Sequence, residues 1–485
     1  MAKKILTVKY FNGGIGDSDK EGIRGSFYLA RNFDIFSEPT NLTLHPLTAK
    51  VSGTTVVDLP KWIVSGSPYN TLTYFYGDAG HIYSRSSTNT WTDLQTTANS
   101  KGQGMELFDD YIYYTQNTQI GRYGPLAAGS PTFTDNWQTG LTDTSAAGKR
   151  FAPIKAFQGG FAVGHGNKLA WYDGAVWTLA KMTFPPGYNV RTLDTVDEFL
   201  AIGVWKGSTI TDSESGIVFF WDGTASTYNF FVEIPEGGIQ TMLNSRNRLL
   251  SIVGPNGVIY LNYTPFQKVH KIPYLPYSKT VEIYPGAVTS WQGLSLIGVA
   301  GNTDSAVLTQ GIYQWGAKSD KYNETLNLGF TPSHGLINAT TLHIGSLKGI
   351  GDELFIGWQN DATYGVDRVI VTANPFATGV YESLIFDDNR PLQPKQAITL
   401  KATHKALATG ESIQLGYKIN RAAAYTTDTA NSTVGTTETR LPIPPADARF
   451  YEFQFEAIVA VSGSTGPTIT SIGLEYDDLS TETLL

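Results

Sequence analysis

The sequence predicts an all-β protein: a seven-bladed β-propeller over residues 59–390, led in by an irregular arm at 1–58 and followed by a β-sandwich at 391–485. Three observations predict it. The composition is rich in turn formers and rings, with 50 Gly, 23 Pro and 12% aromatics, and lean in charge at 16%; such side chains suit pleated, half-buried surfaces joined by short turns. A hairpin-like unit recurs between positions 72 and 354, on average about every 47 residues. Beyond residue 391 apolar and polar residues trade places on a two-residue period, which means one wet face and one buried face.

Residues 1–58 hold Gly13-Gly14-Ile15-Gly16 and polar runs but no sustained period of either kind, and are expected as an extended lead-in. In the repeating region a turn residue opens an apolar run, as in Asp110-Tyr111-Ile112-Tyr113-Tyr114, Gly160-Phe161-Ala162-Val163, Glu198-Phe199-Leu200-Ala201-Ile202 and Glu353-Leu354-Phe355-Ile356. A second short β run follows each, such as Lys168-Leu169-Ala170-Trp171-Tyr172 and Gly216-Ile217-Val218-Phe219-Phe220-Trp221. Short β runs bounded by Gly, Asn or Asp read as hairpins, and a unit of ~40–50 residues has room for the four strands of a propeller blade. The segment from Gly159-Gly160 through Trp171-Tyr172-Asp173-Gly174 to Trp177 resembles a kelch blade; the other copies lack its Gly-Gly and spaced Trp. Pro391 and Pro394 mark the expected end of the repeats. Ile398–Ala402, Ile413–Ile419, Tyr451–Glu456 and Ile469–Tyr476 then alternate as sandwich strands.

Composition also restricts function. The net charge is −8, with 35 Lys and Arg against 43 Asp and Glu and no cationic run longer than Lys3-Lys4, so no nucleic-acid-specific site is expected. There is no cysteine, which excludes thiol catalysis, cysteine-ligated metals and a cysteine-crosslinked copper cofactor. The start, Met1-Ala2-Lys3-Lys4-Ile5-Leu6-Thr7-Val8-Lys9, returns to charge too early for a secretory signal, and no apolar stretch is long enough for a membrane span.

Glycoside hydrolysis needs two carboxylates at a defined separation, one kept protonated. Asp109, Asp110, Asp197, Glu198, Asp352 and Glu353 are the candidates, but all occupy the same place in the unit, where Asp and Glu form turns. The repeated Asp boxes of sialidases are absent; Ser86–Trp91 lacks both the Asp and the Gly. The seven histidines, His45, His81, His165, His270, His334, His343 and His404, are dispersed without metal-ligand spacing. Asp17-Ser18-Asp19-Lys20-Glu21-Gly22 begins like a calcium loop but has Tyr28 where the twelfth-position carboxylate belongs. No nucleophile elbow or phosphate loop occurs, and no catalytic residue, metal or cofactor is expected. Trp205, Trp291 and Trp358 beside the repeated motifs are the candidate ligand-facing rings, with packing between blades as the alternative.

The lead-in ending Asn32-Phe33-Asp34-Ile35-Phe36-Ser37-Glu38-Pro39-Thr40-Asn41-Leu42 is similar to tail-associated virion structural proteins of tailed bacteriophages, as is the closing region with Gly416–Arg421, Phe450–Phe455 and Thr470–Tyr476. The resemblance implies a non-enzymatic part of a virion tail (nozzle, tip or baseplate-proximal), assembled in the host cytoplasm in several copies. Its partners would be other tail proteins and copies of itself, with host-surface glycan as a further contact. A carbohydrate-active or carbohydrate-binding propeller is the alternative. On the virion reading, deleting 1–58 is expected to abolish assembly and leave the propeller folded.

Overall fold

A computed structural model describes residues 3–96, 101–142, 151–207, 215–254, 257–261, 267–272, 282–300, 310–319, 321, 323–330, 342–370, 372 and 374–479. Among these the only helical element is the 3-10 turn Pro445–Asp447; all other regular structure is β. Among the described residues no helix is long and apolar enough to cross a membrane. The chain divides into two units: Ala49–Ile312 with Pro332–Val369, and Met1–Thr48 with Tyr313–Thr331 and Ile370–Leu485.

The first unit is a β-propeller. Seven four-stranded antiparallel sheets follow one another along the chain, and their innermost strands are Pro60–Ser65, Gly104–Phe108, Ile154–Phe157, Tyr188–Val196, Ile239–Ser245, Val288–Trp291 and Leu342–Ile350. Each lies beside the next, and Leu342–Ile350 lies beside Pro60–Ser65, so the ring is closed. The motifs that mark the repeat fall on the second strand of each blade, such as Gly160–His165 and Leu294–Val299, where every residue is buried. These strands have a neighbour on both edges and a blade against both faces, hence their unbroken apolar runs. Outermost strands such as Thr132–Thr139 alternate between exposed and half-buried. The sixth sheet runs Val288–Trp291, Leu294–Val299, Gly311–Gly316, Thr325–Phe330, and the unit division passes through its third strand.

Polar groups and rings stitch neighbouring blades. Thr115 Oγ1 donates to Ala152 O at 2.7 Å, Gln158 Nε2 to Glu198 O at 3.3 Å and Ser346 Oγ to Pro60 O at 2.7 Å. Tyr113 meets Phe161 at 4.6 Å and Trp171 meets Trp221 edge-on at 5.2 Å.

The expected lead-in is structural, which corrects the reading of 1–58 as an arm. Ala49–Lys50 pairs with Thr363–Ile370 as the fourth strand of the seventh blade, and Val51 N–H donates to Val366 O at 2.9 Å. In the other unit Lys4–Val8 pairs with Ile469–Asp478 and Phe27–Arg31 with Thr378–Ser383. Ile15 and Asn32 donate backbone N–H groups to Leu326 O and Gly329 O, both at 2.8 Å. These pieces are too short, and too interrupted by Gly and Pro, to carry a visible period. The propeller's expected end at 390 moves back as well: Thr378–Ser383 pairs within the second unit, between Phe27–Arg31 and Phe453–Val461.

The second unit contains two five-stranded sheets. Phe450 and Tyr476 of one contact each other, and Phe450 lies 5.2 Å from Phe453 of the other, as in a sandwich core. The strands expected from alternation appear as Lys395–His404, Glu411–Ile419, Phe453–Val461 and Ile469–Asp478.

Because the ring closes through Ala49–Val51, Val51→Pro, which removes the N–H bonded to Val366, should destabilise the propeller by roughly 1–3 kcal/mol in urea unfolding. Deleting 1–58 should abolish its cooperative transition rather than leave it folded.

Candidate functional site

The innermost strands enclose a cavity of about 440 Å³ lined by residues from all seven blades. Each inner strand turns into the second strand through a tight connection whose first residue has a positive φ in blades two to seven: Asp109, Gln158, Asp197, Arg246, Gln292 and Gly351. Three positions earlier lie Glu106, Lys155, Asp194, Leu243, Thr289 and Lys348, opposite Tyr113, Ala162, Ala201, Leu250, Leu296 and Phe355 in register. Ile63, opposite Phe75, is the matching residue of blade one. All seven line the cavity, forming one layer with one side chain per blade. Around the ring the sequence is Ile, Glu, Lys, Asp, Leu, Thr, Lys.

Three adjacent blades thus place carboxylate, ammonium and carboxylate side by side. Lys155 Nζ contacts Asp194 Oδ1 at 2.8 Å. Asp194 also accepts the Thr195 N–H at Oδ1 (2.8 Å) and the Asn244 N–H at Oδ2 (2.6 Å), so its acceptor capacity is engaged. Burial opposes the charge of Lys155, but Asp194 and Glu106 outweigh it and hold the ammonium above its usual range. Burial pushes the half-buried Glu106 carboxyl up, against the opposing pull of Lys155 and Lys348. Lys348 is exposed within the channel.

None of these residues was among the sequence candidates. Their signal is positional: each charged member stands three residues before the hairpin turn that opens the repeated apolar run. Of the six candidate carboxylates, Asp109, Asp110, Asp197, Glu198 and Asp352 lie in turns and Glu353 opens the strand that follows. Asp109 and Asp197 both have φ near +50°, Asp110 accepts the Ala127 N–H at 2.9 Å, and Glu353 pairs with Arg368 at 2.8 Å.

Trp205, Trp291 and Trp358, expected as ligand-facing, are 5%, 8% and 0% exposed, which corrects that reading in favour of packing. Trp205 lies so close to Gly238 that a Cβ there would meet its ring at 2.2 Å, and Arg191 sits over it at 5.2 Å. Trp358 donates its indole N–H to the buried Asp367 at 2.7 Å, with Lys50 over its ring at 5.4 Å. A glycine facing each ring removes the side chain that would otherwise fill its place.

The remaining candidates are also absorbed structurally. His165 is buried, receiving the Thr142 N–H at 2.9 Å, and His81 contacts Asp93 at 2.9 Å. His334 lies outside the described residues. In the calcium-like loop Asp19 pairs with Arg421 at 3.0 Å and Lys20 with Glu452. Among the described residues no three His, Asp or Glu side chains gather as a metal site.

No protein-family model and no curated protein matches this sequence. Solved structures do. The extracellular domain of the hybrid two-component system BT4673 from B. thetaiotaomicron aligns with a TM-score of 0.47 and 12% identity over 76% of this chain and 44% of its own. The Dos1 propeller gives 0.41 and 11% over 71% and 82%, and YCF48 bound to D1 peptide 0.43 and 11% over 67% and 96%. The chain therefore spans less than half the length of the BT4673 domain. The propeller assignment stands on the closed ring of strands.

One titratable group outside the channel matters for pH. Glu382 and Glu456 are directly opposite in the sandwich unit, and the Tyr425 hydroxyl donates to Glu382 at 2.8 Å. Burial first, and the Glu382 charge second, push the Glu456 carboxyl up to about 7. A carboxyl that holds its proton more tightly when folded favours the folded state at low pH. Stability should therefore fall as pH rises from about 4.5 to 7, by roughly 2–3 kcal/mol, and level off above; Glu456→Gln should flatten the pH profile of thermal melting. Trp358→Ala should cost about 3–5 kcal/mol in chemical unfolding, because it opens a cavity and removes the indole N–H that Asp367 accepts; a ligand-stacking role would leave the transition in place.

Proposed function

We propose that this protein is a non-enzymatic structural component of a bacteriophage virion tail, assembling in several copies beside other tail proteins and meeting the host surface. The observation that carries the reading is that the lead-in stretch resembling tail proteins is bonded to the strand Ile469–Asp478, which contains the last closing segment that resembles them. Leu42 N–H donates to Ile469 O at 2.9 Å, and Ile469 N–H returns to Leu42 O at 3.2 Å. Lys4–Val8 continues the same sheet along Ile469–Asp478. The resembling segments thus form one interlocked unit built from sequence hundreds of residues apart. The channel fits a non-catalytic role: Asp194, which would be the second carboxylate of a hydrolytic pair, is held by Lys155 and two backbone N–H groups.

The carbohydrate-active reading has one specific observation in its favour, the placement of Glu106 and Asp194 around the same cavity, with burial raising the Glu106 carboxyl. Retaining and inverting hydrolysis both use such a pair.

Mass spectrometry and immunogold labelling of purified particles from a phage lysate encoding this chain should find it in stoichiometric amount at the tail. Its absence from purified particles would reject the virion reading. Glycan-release assays with the wild type and Glu106→Gln should be silent in both; release that is lost in Glu106→Gln would instead establish the hydrolase.

A further inference from the structure

We propose that the propeller channel is a binding site for a small zwitterion, whose ammonium meets Glu106 and whose carboxylate meets Lys348. The layer of seven side chains carries two cations and two anions, and their bonding separates them. Asp194 is engaged by Lys155, Thr195 N–H and Asn244 N–H, so this half of the charge set is internally neutralised. Glu106 and Lys348 remain. Among the described residues the Glu106 side chain has no ion pair or side-chain hydrogen-bond partner; Lys155, Lys348 and Asp194 act on it through space. Lys348, on the seventh blade, presents its side chain exposed to the same cavity.

The geometry is that of a built site. Each of the two groups stands on a paired inner strand at an equivalent register position, so both are held by rigid scaffold rather than by loops. Between blades two and seven the layer places only Ile63, which is 7% exposed and offers no competing polar group. On the opposite side Leu243 and Thr289 separate Lys348 from Asp194 along the ring. A cavity of about 440 Å³ accommodates a molecule of free amino-acid size together with bridging water. A ligand with only one charge would meet one of the two groups and leave the other to water, and a neutral polyol would make no charge-assisted contact with either. A zwitterion answers both.

The test is independent of the virion reading, because it uses the isolated full-length chain in solution. Thermal-shift and calorimetric titrations would compare L-glutamine with ethanolamine, propionate and glucose as probes. L-glutamine should raise the unfolding midpoint in a concentration-dependent way, and the single-charge and neutral probes should bind at least about tenfold more weakly. Glu106→Gln and Lys348→Met should each weaken L-glutamine binding about 10–100-fold, while Lys348→Arg, which keeps the charge, should retain it and shows that a change at this position leaves the ring folded. Lack of any L-glutamine effect, equal binding of glucose, or binding unchanged in both charge-removing variants would each overturn the proposal; equal or preferential glucose binding would point to the carbohydrate reading instead.

Discussion

The propeller depends on a two-residue strand. Ala49–Lys50 along Thr363–Ile370, with Val51 bonded to Val366, supplies the outer edge of the last blade, and Ser346 ties its inner strand to Pro60 of the first. Without this clasp the last sheet would keep an unprotected outer edge beside the buried cluster of Phe75, Tyr83, Phe355 and Val366 that joins the first and seventh blades. Every other property of the unit follows from closure. The second strands can be continuously apolar only because each blade is covered on both sides, and the seven-membered layer in the channel exists only while the inner strands surround a common space.

Electrostatics works differently in the two units. In the channel, Lys155 and Asp194 meet at a site where a lost partner would leave a poorly solvated charge. In the sandwich unit the ion pairs are more exposed: Lys4 bridges Asp388 and Asp478, and Arg390 reaches Asp478 at 3.2 Å. Pairs of that kind contribute little singly, but these connect the N-terminal strand to the closing strand and to the 387–390 turn. They specify where the lead-in attaches more than they stabilise it. The backbone ladder of Lys4–Val8 provides the rest.

What was legible in the sequence was whatever packing makes repetitive. The second and third strands of the blades announce themselves because both of their faces are covered, so Phe161, Leu249 and Leu354 head clear apolar runs. The inner strands face water on the channel side, and their mixture of Glu106, Lys155, Asp194 and Lys348 with apolar neighbours has no period that distinguishes it from a loop. Aligning the blades on their turns, rather than on their apolar runs, would have brought these four residues into one column. The lead-in was illegible for another reason: strands such as Phe33–Asp34, Thr43–Leu44 and Ala49–Lys50 are two residues long, below the length at which alternation can be seen. The tryptophans misled because position beside a motif says nothing of exposure; of the glycines that make room for them, Gly349 and Gly365 lie on other strands and Gly238 between two.

The pairing of Lys4–Val8 with Ile469–Asp478 sets a temporal order on biogenesis. At ribosomal speeds of about 5–20 residues per second, the early strand emerges tens of seconds before its partner exists. During that interval the nascent chain can complete blades one to six from local hairpins, whereas Lys4–Val8 and the clasp at Ala49–Lys50 must wait, solvated, for sequence still inside the translation machinery. The charges at the start of this strand and on either side of it, Lys4, Lys3 and Lys9, are the kind of gatekeepers that keep a waiting β segment from pairing with its counterpart on a neighbouring polysome.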